Sequence, residues 1–211
     1  MNIAPKYRPF PSTGKRPYRK QARAESERST GEAILSAALA AFADEPFERV
    51  TLRHIAEASG VTVQTVIRRF GSKEQLFEAL VEREKPRILA SREAPDGGGR
   101  RAALESLVHH YETDGNLILN LVAQEQQLQV IGEAVELGRR LHREWVERHC
   151  DKVFEGHRGA KRRRALLAAI AATDLSTWKV LRRDLGLDEA EVVEVMDMLL
   201  EGLARTEKEK R

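Results

Sequence analysis

The sequence predicts an all-α protein, and three observations carry that expectation. No stretch alternates apolar and polar residues with period two over the length of a strand; apolar residues recur instead three and four positions apart. Helix-start signatures stand at Ser29-Thr30-Gly31-Glu32, Ser72-Lys73-Glu74-Gln75 and Asp188-Glu189-Ala190-Glu191, where a side-chain oxygen can accept from the third amide and the third side chain can reach back. No proline occurs in the 116 residues after Pro95. The expected architecture is an N-terminal three-helix helix-turn-helix unit, a connecting helix and a C-terminal helical bundle, about nine helices in total.

The elements follow in order. Residues 1–28 hold four of the seven prolines (Pro5, Pro9, Pro11, Pro17) and few aliphatics, which predicts a disordered arm. From Ser29 a helix is expected with Ile34, Leu35, Ala38, Ala41 and Phe42 on one face, stopped by Asp44-Glu45-Pro46. Thr51 caps a second helix, Leu52 to Ala58; Ser59-Gly60-Val61 makes a tight turn; Thr62 caps a third helix to about Arg69. Ser72 opens a fourth, with Leu76, Phe77, Leu80 and Val81 inward and Pro86 expected to kink or end it. Residues 92–99, with Pro95 and three consecutive glycines, read as the linker, and the remainder divides into about five helices at Asp114-Gly115, Gly132, Gly156–Gly159 and Leu185-Gly186-Leu187.

Composition narrows the function. The chain of 211 residues has 36 Lys+Arg against 33 Asp+Glu, a net charge of +3, and a mean hydropathy of −0.49. Residues 1–23 alone carry +7, leaving −4 for the other 188, so the basicity belongs to an arm. A single cysteine, Cys150, excludes a disulfide framework and a cysteine zinc site and reads as a packing residue. No apolar run approaches the roughly 20 residues of a membrane span, and no secretory signal is evident, so a cytoplasmic protein without membrane partners is expected. No HExxH, phosphate loop or nucleophile elbow occurs, so no catalytic residues, metal or cofactor are expected. His109 and His110 point to different helix faces; His142 and His149 share one, with no third ligand, and read as a solvated pair.

Two short helices across a glycine turn offer the second helix to a DNA major groove. Such a unit needs an inward apolar face, here Ile55, Ala58, Val61, Val66 and Phe70, and a small or polar outward face. The outward candidates are Thr62, Val63, Gln64, Thr65, Arg68 and Arg69. Gln64 can read adenine, Arg68 can read guanine, and the methyls of Val63 and Thr65 can touch thymine. Arg53, Arg69 and Lys73 are expected as phosphate contacts. The basic arm has two open readings: a solvated tail, or a segment that grips phosphates.

The segment from Thr51 to Phe77, TLRHIAEASGVTVQTVIRRFGSKEQLF, resembles the DNA-binding domain of the TetR family (TetR/AcrR-like) of bacterial regulators, on Ile55-Ala56, Gly60-Val61, Thr65, Phe70 and Lys73-Glu74-Gln75-Leu76. Residues 171–188, AATDLSTWKVLRRDLGLD, are similar to the penultimate helix and turn of many family members from high-GC bacteria. Two positions depart from the pattern: Ile67 stands where the family usually has an aromatic that contacts phosphate, and Arg69 where His or Tyr is common. The resemblance implies a DNA-binding domain over 29–75 and a ligand-sensing, dimerising domain over 76–211. It further implies a ligand-responsive repressor, homodimeric on a palindromic operator in double-stranded DNA, with an unidentified small-molecule effector. The alternative reading is a sequence-tolerant architectural or nucleoid DNA-binding protein.

For dimerisation the small and apolar residues Ala165, Ala168 and Ala172, with Val192, Val195, Met196, Leu199 and Leu203, are expected to pair two helices with their copies. Candidates for the ligand pocket are Tyr111, Asn120, Gln124, Trp145, His149, Asp174 and Trp178, the polar and aromatic groups expected on bundle faces.

Overall fold

Helix α1 runs from Lys15 to Asp44 in the computed structural model, which describes residues 15–95 and 97–205. Residues 15–28, expected to be disordered, are therefore helical, while 1–14 lie outside the described residues. Pro17 does not prevent this, because in the first turn its missing N–H has no intrahelical partner to lose. Ser29 falls mid-helix, so its expected capping box does not form; the Thr30 hydroxyl instead donates to the Ser26 carbonyl at 2.8 Å.

Ile34, Leu35, Ala38, Ala41 and Phe42 of α1 are buried as their spacing implies. Helices α2 (Leu52–Ala58), α3 (Val63–Phe70) and α4 (Lys73–Ser91) pack against them. Phe42, Phe47 and Phe77 form one aromatic cluster, with ring centroids 5.2 to 5.7 Å apart. Gly60, at φ +69°, supplies the left-handed residue of the turn between α2 and α3. Ile55 and Val66 are fully inward, Val61 and Phe70 half-buried, but Ala58 is exposed, because α2 ends there and its last turn faces solvent. The Ser72–Gln75 capping box forms in full. Helix α4 then continues through Pro86 to Ser91 instead of ending at it.

The C-terminal domain consists of α5 (Gly99–Gln124), α6 (Gln129–His149), α7 (Asp151–Phe154), α8 (Gly159–Thr173), α9 (Leu175–Lys179), a π-helical turn (Val180–Asp184) and α10 (Glu189–Arg205). At the start of α10 the Glu191 amide donates to Asp188 and the Asp188 amide to Glu191, both at 2.9 Å, so this reciprocal cap forms. The expected breaks at Asp114-Gly115 and Gly132 are absent. Gly115 is instead a packing residue: a Cβ there would lie 2.6 Å from Cη2 of the fully buried Trp178.

Two cores result. One gathers Trp145, Trp178, Leu104, Leu107 and Met196 inside the C-terminal domain. The other fills α1–α4 and takes in Ile131 and Val135 of α6, which seats the N-terminal unit on the bundle. Across this seam the Gln124 side chain accepts the Phe47 amide at 2.9 Å, and Asn120 donates to the Ala43 carbonyl at 2.8 Å. All described regular structure is helical, and among the described residues no helix is long and apolar enough to cross a membrane.

Candidate nucleic-acid interface and the C-terminal interior

Helix α3 owes its start to Thr62, whose hydroxyl accepts the Thr65 amide at 3.2 Å and lies 2.9 Å from the Thr65 hydroxyl. Both threonines thus spend polar capacity on the cap, leaving the half-buried Thr65 to present chiefly its methyl. Gln64 and Arg68, four residues apart, are exposed on one face, with Arg53 exposed on α2 and Val63 half-buried beside them. The residue that sequence reasoning left out of this row is Ile67, 42% exposed between Gln64 and Arg68 on the same helix. An isoleucine so placed offers apolar contact where polar readers flank it.

Two expected phosphate contacts lie differently. The Lys73 ammonium donates to the Phe47 carbonyl at 2.6 Å and the Val50 carbonyl at 2.9 Å, and sits 4.3 Å from the Phe47 ring centroid. Desolvation in this seat lowers its pKa. Lys73 is a strut that locks the turn before α2 onto the start of α4, and this backbone use was not readable from its place beside a helix start. Arg69 folds back so that its guanidinium covers Gly31 of α1, at a spot no Cβ could share, and stacks 5.8 Å from Phe70. It borders the reading face rather than pointing out of it.

Charges run from this unit into the bundle along α4. Arg83 meets Ser36 of α1 at 3.1 Å and pairs with Glu84. Glu84 also holds Arg87, which grips Asp114 of α5 through both terminal nitrogens at 2.8 and 3.3 Å. His110 closes the row 3.0 Å from Asp114. These bonds hold the Asp114 carboxyl below its usual range against the opposing effect of burial, and burial pushes His110 down.

The expected pocket residues divide. Tyr111 donates to the Thr173 carbonyl at 3.0 Å, Trp145 to the Arg92 carbonyl at 2.9 Å and Trp178 to Glu112 at 2.8 Å. Asp174 caps α9, accepting the Ser176 amide at 2.8 Å. Asn120 and Gln124 belong to the seam between domains and do not join the others. His142 is 7% exposed, so it is no member of a solvated pair. Its Nδ1 faces Arg92 Nη2 at 2.9 Å, its Nε2 faces the Thr173 hydroxyl at 3.2 Å, and burial beside the Arg92 charge pushes its pKa down to about 4. His149 lines an open cleft of about 340 Å³ with Ala94, Pro95, Gly97, Gly98 and Arg148. Cys150 is fully buried, its thiol pushed up to about 12 by desolvation, as befits packing. Among the described residues no group of three His, Cys, Asp or Glu is placed to hold a metal ion.

Of the expected dimer residues, Val192, Met196 and Ala172 are buried in the monomer's own core, and Ala165 and Leu203 pack on it. They are spent inside the protomer because α8 and α10 first pack on each other. Ala168 and Val195 are half-buried and Leu199 is 45% exposed; Leu167 and Met198, 46% and 71% exposed, stand with them.

A capped helix pair across a glycine turn, seated on a helical bundle, is a helix-turn-helix arrangement. Residues 34–80 match the bacterial regulatory proteins of the tetR family. This match lies within α1–α4 and gives the N-terminal unit its likeness to tetR-family regulators. Similar solved structures include a tetR-family regulator from Streptomyces coelicolor, at 17% identity and TM-score 0.67, covering 86% of this chain and 85% of that one. A TetR-like regulator from Rhodococcus sp. RHA1 is 22% identical with TM-score 0.62, covering 83% and 96%. The SmeT–triclosan complex is also 22% identical with TM-score 0.62, covering 82% and 90%. At these identities the likeness is one of fold. No curated protein matches the chain by sequence.

Proposed function

We propose that the chain is a homodimeric, ligand-responsive repressor that binds a palindromic operator through Gln64, Arg68, Val63 and Ile67, with Arg53 and Arg69 on the flanking phosphates. The observation that carries the dimer is the row Leu167, Met198 and Leu199, apolar and exposed on the paired helices α8 and α10. Large aliphatics gathered on two packed helices lose little by meeting their copies across a two-fold axis. Two-fold pairing sets the recognition helices about one DNA turn, 34–36 Å, apart and doubles the few base pairs that one unit reads.

An effector in the C-terminal domain would favour a spacing of the reading heads that no longer fits, a population shift carried by α4, whose two ends lie in the two domains. The triclosan complex of a protein with this fold supports a small-molecule effector. The test is sedimentation of the wild type and of Leu199→Glu at micromolar concentration, paired with DNA binding. A dimer that becomes a monomer and loses operator affinity supports the proposal. A wild-type monomer that binds DNA with full affinity overturns it. Against the architectural alternative, competition with random DNA is expected to show a specificity ratio of about 10³ or more.

A further inference from the structure

Arg92 is the residue that the functions above do not use. It follows the last residue of α4, is 6% exposed, and lies among Tyr111, His110, His142 and Trp145, inside the C-terminal domain. Its guanidinium has one hydrogen-bonding neighbour, Nδ1 of His142 at 2.9 Å, while its buried Nε has none. Among the described residues no carboxylate pairs with it; Glu93, next in sequence, is committed to Arg148 and lies 3.6 Å from His149. A buried guanidinium without a counter-charge is costly, and protein interiors keep charges only when paired. Its planar fork matches a carboxylate through two parallel hydrogen bonds.

A second observation lies beside it. The 340 Å³ cleft beneath the linker begins at Ala94, two residues from Arg92, and is lined by His149, whose Nε2 is also buried without a hydrogen bond. His149 packs on Trp145 at 5.1 Å between ring centroids, and Trp145 holds the Arg92 carbonyl at 2.9 Å. His149 and Trp145 thus link the cleft wall to the backbone of Arg92. The cleft's volume falls in the range of small-molecule sites.

We propose that the effector is a small organic monocarboxylate, entering by this cleft, whose carboxylate pairs with the Arg92 guanidinium. The inference rests on the reading that the C-terminal domain receives an effector, and it adds the ligand's chemical class and anchor. Because Arg92 is the C-cap of α4, pairing its charge acts directly on the element that packs against both α1 and α5.

The experiment uses the full chain and the sodium salts of benzoic, phenylacetic and octanoic acids, with their uncharged primary amides as controls, followed by thermal shift and operator release. At about 10 mM, a ligand of only about 1 mM affinity shifts the folding equilibrium about tenfold. The expected result is a dose-dependent shift with at least one acid and none with its amide, lost in Arg92→Met. Arg92→Met itself should melt no lower than the wild type, since it removes an unpaired buried charge. If Arg92→Met fails to fold, Arg92→Lys decides: weakening of the acid by threefold or more supports the anchor, and unchanged affinity overturns it. Absence of any shift with all three acids, or amides that bind as well as acids, also overturns it. A neutral or cationic compound that releases DNA while the acids do not leaves the effector reading standing and removes the carboxylate class alone.

Discussion

Acid should destabilise this protein through His142, and the size of the effect follows from its contacts. Arg92 Nη2 can only donate, so His142 Nδ1 must accept; its Nε2–H then donates to the Thr173 hydroxyl, which in turn donates to the Ala169 carbonyl at 2.8 Å. The chain runs one way and requires the neutral imidazole. Protonation turns Nδ1 into a donor facing a donor, beside a buried cation. The folded pKa, about 4, lies below the ordinary 6.5, so the stabilising neutral form is fully favoured above 6.5. That contribution is lost as pH falls through this window and levels off below about 4.

By linkage the loss between pH 7 and pH 5 is about 2 kcal/mol, rising to about 3 kcal/mol in stronger acid. This is a large share of the 5–15 kcal/mol typical of a domain. The assay is urea unfolding of the wild type and His142→Gln at pH 7, 6 and 5. Glutamine can accept from Arg92 and donate to Thr173 without titrating. His110 and His149, also held below their ordinary value by burial, titrate in both proteins and drop out of the difference. The variant should lose about 2 kcal/mol less than the wild type over that interval. Equal losses in both proteins would refute the reasoning.

Two further perturbations separate roles that sequence position alone confuses. Lys73→Met removes both bonds to the Phe47 and Val50 carbonyls and should cost about 2–3 kcal/mol in thermal or chemical unfolding. The salt dependence of DNA binding should be unchanged, whereas a slope reduced by about one would return Lys73 to the phosphate contacts. Gly115→Ala gains about 1 kcal/mol of helix propensity but drives a methyl into Trp178, so a net loss of about 1–2 kcal/mol is expected from denaturant midpoints. Gly138→Ala on α6, where a Cβ meets nothing within 4 Å, should gain about 1 kcal/mol and serves as the control.

Much of the fold was legible because its signals are local. The caps at Thr51, Thr62, Ser72 and Asp188 form where their residues stand, and the spacing of Ile34, Leu35, Ala38 and Phe42 identifies the buried stripe of α1. What escaped depends on partners distant in sequence. Ser29 looks like a cap, yet the Arg- and Ala-rich residues before it continue the helix, with an Arg23–Glu27 pair at 3.1 Å along its exposed face. Gly115 looks like a break until Trp178, 63 positions on, is seen to need its missing side chain. The outward residues of α3 were readable from helix geometry, except Ile67, whose apolar character kept it out of that row although the family resemblance marks its position as a contact. Arg92 carried no signal: an arginine in a proline- and glycine-rich linker reads as solvated, and only the packing of α4, α5 and α6 around it buries the charge.

The central claim is that Gln64, Ile67 and Arg68 read DNA sequence in a two-fold arrangement. Selection of bound duplexes from a random pool tests it most directly, run in parallel on the wild type and Arg68→Ala. The expected result is an inverted-repeat consensus that loses information at one position in each half-site with Arg68→Ala, at a cost of about 1–3 kcal/mol. A pool that emerges without consensus, or one that Arg68→Ala weakens uniformly, would contradict it.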